Sequence, residues 1–130
     1  MRPAKVTVSN ELLEDGISVI RLKGTIITNL SGTVVVDVIQ EVIESQNPPR
    51  IIFDLTGVTY LDSYSFGWIT KVYKQVLDKK GCFVVSNPNE DIRYLFEMTN
   101  FVKIVPVYPT VEDAREALIS GNTEKRMITF

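Results

Sequence analysis

The 130-residue chain has no histidine and a single cysteine. Without histidine it lacks the commonest general base near neutral pH, the Ser-His and Cys-His nucleophile pairs, and most transition-metal sites. Cys82 cannot make an internal disulfide, and within the run CFVV it reads as a small buried hydrophobe. Basic charge is not in excess either. Fourteen Lys and Arg stand against sixteen Asp and Glu, a net charge of -2, so nucleic acid is not an expected partner. No apolar run approaches the roughly 18–20 residues that span a bilayer, and MRPAKVTVSN lacks the apolar region of a signal peptide. The expectation is a cytoplasmic protein without direct membrane insertion. No GxGxxG or GxxxxGK[ST] stretch offers a phosphate cradle, and no cofactor or metal is expected.

What is present suffices for one core. Hydrophobic residues make up 45% of the chain, ordinary for a globular domain. KVTVS (5–9) and GISVIRLKG (16–24) alternate apolar with polar residues and read as a hairpin. RIIFDL (50–55), CFVVSN (82–87) and KIVPVY (103–108) are short apolar runs, the pattern of strands covered on both faces.

Helical periodicity separates these runs. Trp68, Ile69, Val72, Tyr73, Val76 and Leu77 recur three and four apart before Gly81. NEDIRYLFEMTN places Ile92, Leu95, Phe96 and Thr99 on one face, and PTVEDAREALISG carries a Thr110 cap and a Gly121 stop. SGTVVVDVIQEVIES (31–45) is rich in β-branched residues, yet its length and the shared face of Val35, Val38, Ile39, Val42 and Ile43 predict a helix. The fold class expected is α/β: one domain over residues 1–120, with a largely parallel mixed sheet of four or five strands and about four helices. Residues 121–130 read as a polar tail in which Met127, Ile128 and Phe130 are apolar enough to dock.

The stretch DLTGVTYLDSYSFGWI (54–69) joins a central strand to a helix, and in open α/β sheets ligands and partners gather beyond the carboxyl ends of strands. Asp62 or Ser63 there can cap the helix, a structural duty that requires nothing more. Alternatively Ser63 is a phosphoacceptor, because added phosphate would meet free N–H groups and the positive end of the helix dipole. Lys71 and Lys74 lie on the outer helix face, where they can meet an acidic partner or simply be solvated. Ser63 as an enzyme nucleophile lacks an activator, since Lys71 lies about two turns away and Asp62 is the only other base at hand. Phe66 and Trp68 read as core residues, and Tyr64 is the better exposed anchor.

Residues 50–118, with VIRLKGTII (19–27) upstream, resemble a STAS domain of the anti-sigma factor antagonist type. The most specific part is a strand aspartate followed by an Asp-Ser pair and a helix glycine, matched here by Asp54, Asp62, Ser63 and Gly67, with Phe66 at an aliphatic position. The resemblance implies a regulatory binding module whose partner is an anti-sigma factor or a related serine kinase, with Ser63 phosphorylated to break the contact. It implies a partner-binding surface of Ile27, Thr28, Asp62, Ser63, Tyr64, Ser65, Phe66, Lys71 and Lys74. Tyr64 replaces a small residue, Ser65 a glycine, and Ile27 stands where many such antagonists have aspartate. These departures suit an alternative, a constitutive scaffold or transporter-associated subunit without phosphoswitching.

Overall fold

A computed structural model describes residues 6–26 and 34–121. Its strands are β1 (Val6–Leu12), β2 (Ser18–Ile26), β3 (Arg50–Leu61), β4 (Cys82–Ser86) and β5 (Val107–Tyr108). Its helices are α1 (Val34–Ser45), α2 (Ser63–Asp78), α3 (Glu90–Met98) and α4 (Val111–Ser120), with a short 3-10 turn at Phe101–Lys103. The strands form one sheet in the order β1-β2-β3-β4-β5. The β1–β2 pair is antiparallel and the remaining three pairs are parallel. This is the mixed, mostly parallel α/β sheet expected from the alternation of strand and helix patterns.

Alternation along the strands builds two apolar layers. Ile20, Leu22, Ile51 and Phe53 face Ile39 of α1, Ile69 of α2 and Phe96 of α3. Val19, Ile52 and Val84 point the other way, onto Ala114 and Leu118 of α4. Full burial of each such Ile, Leu, Val or Phe side chain contributes about 1.5–3 kcal/mol, so both layers matter to the fold. In α1, Val35, Ile39, Val42 and Ile43 are buried while Asp37 and Glu41 are exposed, a helical stripe that overrides the strand propensity of its valines.

Two expectations are corrected. KIVPVY is a strand only at Val107–Tyr108, because Asn100 turns the chain with φ 61° and the following residues wind into the 3-10 turn. On α3 the buried pair is Ile92 and Phe96, whereas Leu95 is 37% exposed and Thr99 donates its hydroxyl to the Leu95 carbonyl at 2.7 Å. Spacing alone did not separate a two-residue anchor from a wider stripe.

At the end of the sheet away from the α2 head, α4 is tied to the β1–β2 turn. Arg115 Nε lies 2.8 Å from Asp15 Oδ2, and Arg50 donates to the carbonyls of Asp15 (2.9 Å) and Leu118 (3.3 Å). Gly81 seals the α2–β4 connection: a Cβ there would collide with the Pro49 carbonyl oxygen and come within 2.9 Å of Val76 Cγ1.

Candidate functional site

β3 is longer than its sequence signal. Its residues 51–54 pair with both β2 and β4, whose ladder ends at Asp54–Ser86, whereas β3 continues to Leu61 against β2 alone. Two register shifts, between Arg21 and Lys23 and between Gly24 and Thr25, bend this extension. Asp54 lies at its root, 4% exposed, where its Oδ1 accepts from the Thr56 amide (3.0 Å) and hydroxyl (2.5 Å) and its Oδ2 is 3.5 Å from Arg21. Asn87 donates to the Thr56 hydroxyl and Asn89 to the Val58 carbonyl, linking the extension to the segment after β4. Asp54 is therefore a structural acid that shapes the strand leading to the site.

The extension ends at the head of α2. Asp62 has extended backbone (φ -81°, ψ 167°) and is the N-cap, its Oδ1 accepting from the Ser65 amide at 3.0 Å and the Ser65 hydroxyl at 2.7 Å. Of the two capping candidates, Asp62 holds the position, and Ser63 is the first helical residue. Ser65 is fully buried, so this expected contact residue lies inside the cap and presents no surface to a partner. Ser63 is exposed, and among the described residues its hydroxyl makes no hydrogen bond. Tyr64 is 74% exposed.

The ring of Phe66 is 5.5 Å from Phe96 and 5.8 Å from Phe101, and Trp68 meets Phe53 edge-on at 6.0 Å. Both are partly buried against the core, and these aromatics clamp the α2 head to β3 and α3. Ser63, Gly67, Lys71 and Lys74 are all exposed and follow at intervals of four, four and three, which places them in one stripe along the outer face of α2. Nothing lies within 4 Å of a Cβ built at Gly67, so packing within the chain does not require glycine there.

Sequence reasoning missed the flank. α3, packed on the α2 head through Phe96, exposes Tyr94 (59%), Met98 (63%) and part of Leu95, and β3 exposes Tyr60 (51%) just before the cap. The i, i+4 spacing of Tyr94 and Met98 on the side of α3 away from Ile92 was the available signal. Ile27 and Thr28 lie outside the described residues. Among the described residues no group of His, Cys, Asp and Glu is arranged to hold a metal ion, and no helix is long and apolar enough to cross a membrane.

Comparison with known proteins fits this geometry. A candidate anti-sigma factor antagonist of Thermotoga maritima is 33% identical over 67 residues, which cover 52% of this chain and 59% of the relative. The chain thus spans little more than half the length of that relative. The crystal structure of an anti-sigma factor antagonist from Mycobacterium paratuberculosis superposes with a TM-score of 0.78 at 26% identity, covering 88% of this chain and 95% of that one. The antagonist SpoIIAA shares the fold alone: at 16% identity its unphosphorylated form gives a TM-score of 0.70 over 88% of this chain and 97% of that one. Its phosphorylated form gives 0.63 at 17% identity, over 85% and 97%. With residues 12–114 matching the STAS domain, the chain belongs to the STAS domain family.

Proposed function

We propose that the chain is a non-catalytic regulatory module that docks a protein partner through the head and outer face of α2, and that phosphate on Ser63 weakens this contact. The partner is of the anti-sigma factor type or a related serine kinase, and the module acts in the cytoplasm on transcription. The observation that carries the reading is the contrast inside one helical turn: Ser63 offers an exposed hydroxyl that makes no hydrogen bond among the described residues, while Ser65 is buried and bonded to Asp62. A kinase can reach the first and not the second.

The site also receives phosphate without unfolding. The first helical amides lack intrahelical acceptors, and the dipole favours anionic charge at this end. SpoIIAA, with the same fold, has been solved in both unphosphorylated and phosphorylated forms. Phosphorylation adds about -1.5 to -2 charges beside Asp62, which changes the field at the surface more than the shape of the cap. Tyr64, Gly67, Lys71 and Lys74 complete the surface, with Tyr64 as the aromatic anchor and the lysines facing acidic groups of the partner. Asp62 acts through the cap, and Phe66 positions the helix while offering its exposed edge.

A second reading, a constitutive scaffold or transporter-associated subunit, draws on Tyr64, a large exposed aromatic directly beside the phosphoacceptor. Such a residue suits an interface that persists. The test measures binding of wild type, Ser63→Ala and Ser63→Asp to purified anti-sigma factor kinases encoded in the same genome, with mass spectrometry of the chain after incubation with ATP. The switch is supported by phosphate on Ser63 together with selective loss of binding by Ser63→Asp. Equal binding by all three with Ser63 unmodified sinks the switch and leaves the scaffold.

A further inference from the structure

α1 and α2 lie side by side on one face of the sheet and carry opposite charges on their outer surfaces. Each connects the end of one strand to the start of its parallel neighbour, β2 to β3 and β3 to β4, and both pack into the same apolar layer. The two helices therefore run in the same direction. A reciprocal amide pair sets their level, with Gln40 Nε2 donating to Gln75 Oε1 and Gln75 Nε2 to Gln40 Oε1, both at 2.8 Å. Around Gln40, α1 exposes Asp37, Glu41 and Glu44. Around Gln75, α2 exposes Lys71 and Lys74, then Asp78 and the C-cap Lys79. Among the described residues no ion pair joins any of these charges, although the two stripes are neighbours.

We propose that a second copy of this chain covers this surface, in a dimer whose two-fold axis runs parallel to α1 and α2 and between them. The same patch then serves both copies, and α1 of each lies over α2 of the other with both helices pointing the same way. Positions at the same level along the helices meet. Asp37 stands three residues before Gln40 and Lys71 four before Gln75, so these two come together across the interface. Glu41, one after Gln40, and Lys74, one before Gln75, are separated by about 3 Å along the axis at a rise of about 1.5 Å per residue, within reach of a lysine side chain. At the far end Glu44 meets both Asp78 and Lys79, whose charges offset each other.

Charge also selects this axis over the alternative. A two-fold axis lying across the helices would stack α1 on α1 and α2 on α2, setting Asp37, Glu41 and Glu44 against their own copies and the lysines likewise. Only the parallel axis brings each stripe to its opposite. The dimer covers Lys71 and Lys74, so a second copy and a protein partner compete for α2; this consequence rests on the docking function proposed above, whereas the dimer itself does not.

Sedimentation velocity of the full chain over a concentration series tests the proposal without any partner present. A monomer–dimer equilibrium is expected, its dissociation constant rising about tenfold or more between about 0.05 M and about 0.5 M salt. Glu41→Lys and Lys74→Glu each set like charges across both halves of the interface and should weaken the dimer about tenfold or more, while the double variant Glu41→Lys/Lys74→Glu restores it to within about threefold of wild type. All of these positions are exposed, and the rescue by the double variant separates a lost contact from a damaged fold. A monomer at every concentration overturns the proposal and leaves the lysines to the partner. So does a dimer that ignores the single reversals or is not restored by the double one, and neither result bears on the Ser63 binding test.

Discussion

The heads of α2 and α4 solve one problem in two ways. Both are capped by a side-chain oxygen that accepts from the amide three residues on, Asp62 from Ser65 and Thr110 from Asp113. α4 then places Glu112 and Asp113 in its first turn, as α3 places Glu90 and Asp91. These acids complement the helix dipole permanently. α2 has no acid in its first turn and sets Ser63, Tyr64 and Ser65 there. The difference separates a helix with two acids in its first turn behind a neutral cap from one whose acid at the head is the capping Asp62 itself.

The largest expected effect probes the caps themselves. Asp62→Ala should cost about 2–3 kcal/mol, because it removes the cap and also strands the buried Ser65 hydroxyl. Thr110→Ala, at an exposed cap, should cost about 1 kcal/mol. Urea unfolding of both variants, with Ser65→Ala added to Asp62→Ala, checks this. Equal losses at the two heads would show that the Asp62–Ser65 bond adds nothing beyond an ordinary cap.

Next in size is charge arriving at α2. Ser63→Asp should lower partner affinity about tenfold, or about 1.4 kcal/mol, while leaving the fold as stable as wild type or more so by about 0.3–1 kcal/mol. Calorimetric titration and thermal melts of the same preparation separate the two quantities. A large loss of stability in this variant contradicts the idea that the head is prepared for negative charge.

Gly67→Ala sharpens the comparison on the α2 face. With open space around the site, alanine should raise stability by about 0.8–1 kcal/mol through helix propensity. If the partner approaches the backbone there, affinity falls while stability rises. A variant that gains stability and keeps full affinity removes Gly67 from the docking surface.

The smallest effect lies at the other end of α4. The hydrogen bond and charge of Arg115 hold the Asp15 carboxyl below its ordinary value of 3.8 despite the opposing effect of burial. A depressed carboxylate contributes stability above its unfolded value and loses that contribution as pH falls through the folded one. Wild type should therefore exceed Asp15→Asn by under about 1 kcal/mol at neutral pH, the two converging below pH 3.8. A constant difference across an acid titration would place the effect of the substitution elsewhere.

Much of this was readable from residues. Strand-helix alternation yielded the mixed, largely parallel sheet, and the Asp-Ser pair marked the strand-to-helix junction. Three things were not. The β3 extension is hidden because Thr56, Gly57 and Thr59 interrupt the apolar run, and only pairing with β2 shows that the strand continues. Ser65 looks like a surface serine, and its burial follows from where β3 delivers the helix. Tyr94 and Met98 face outward only because Ile92 and Phe96 anchor α3, which periodicity over nine residues did not decide.

The two register shifts in the β2–β3 pairing bear on how such a domain can change its partners. The fully paired part of β3 carries much of the core, while the stretch beyond Asp54 pairs within the sheet with β2 alone, out of step with it twice, and among the described residues is tied to the segment after β4 only through Asn87 and Asn89. An added or lost residue there would rotate and advance the helix head, and it would also shift Leu55, Val58 and Leu61, which are buried in the core on that side of the sheet. Re-aiming the helix head through residues 55–61 therefore means keeping those three apolar positions and changing the exposed ones between them, Thr56, Thr59 and Tyr60.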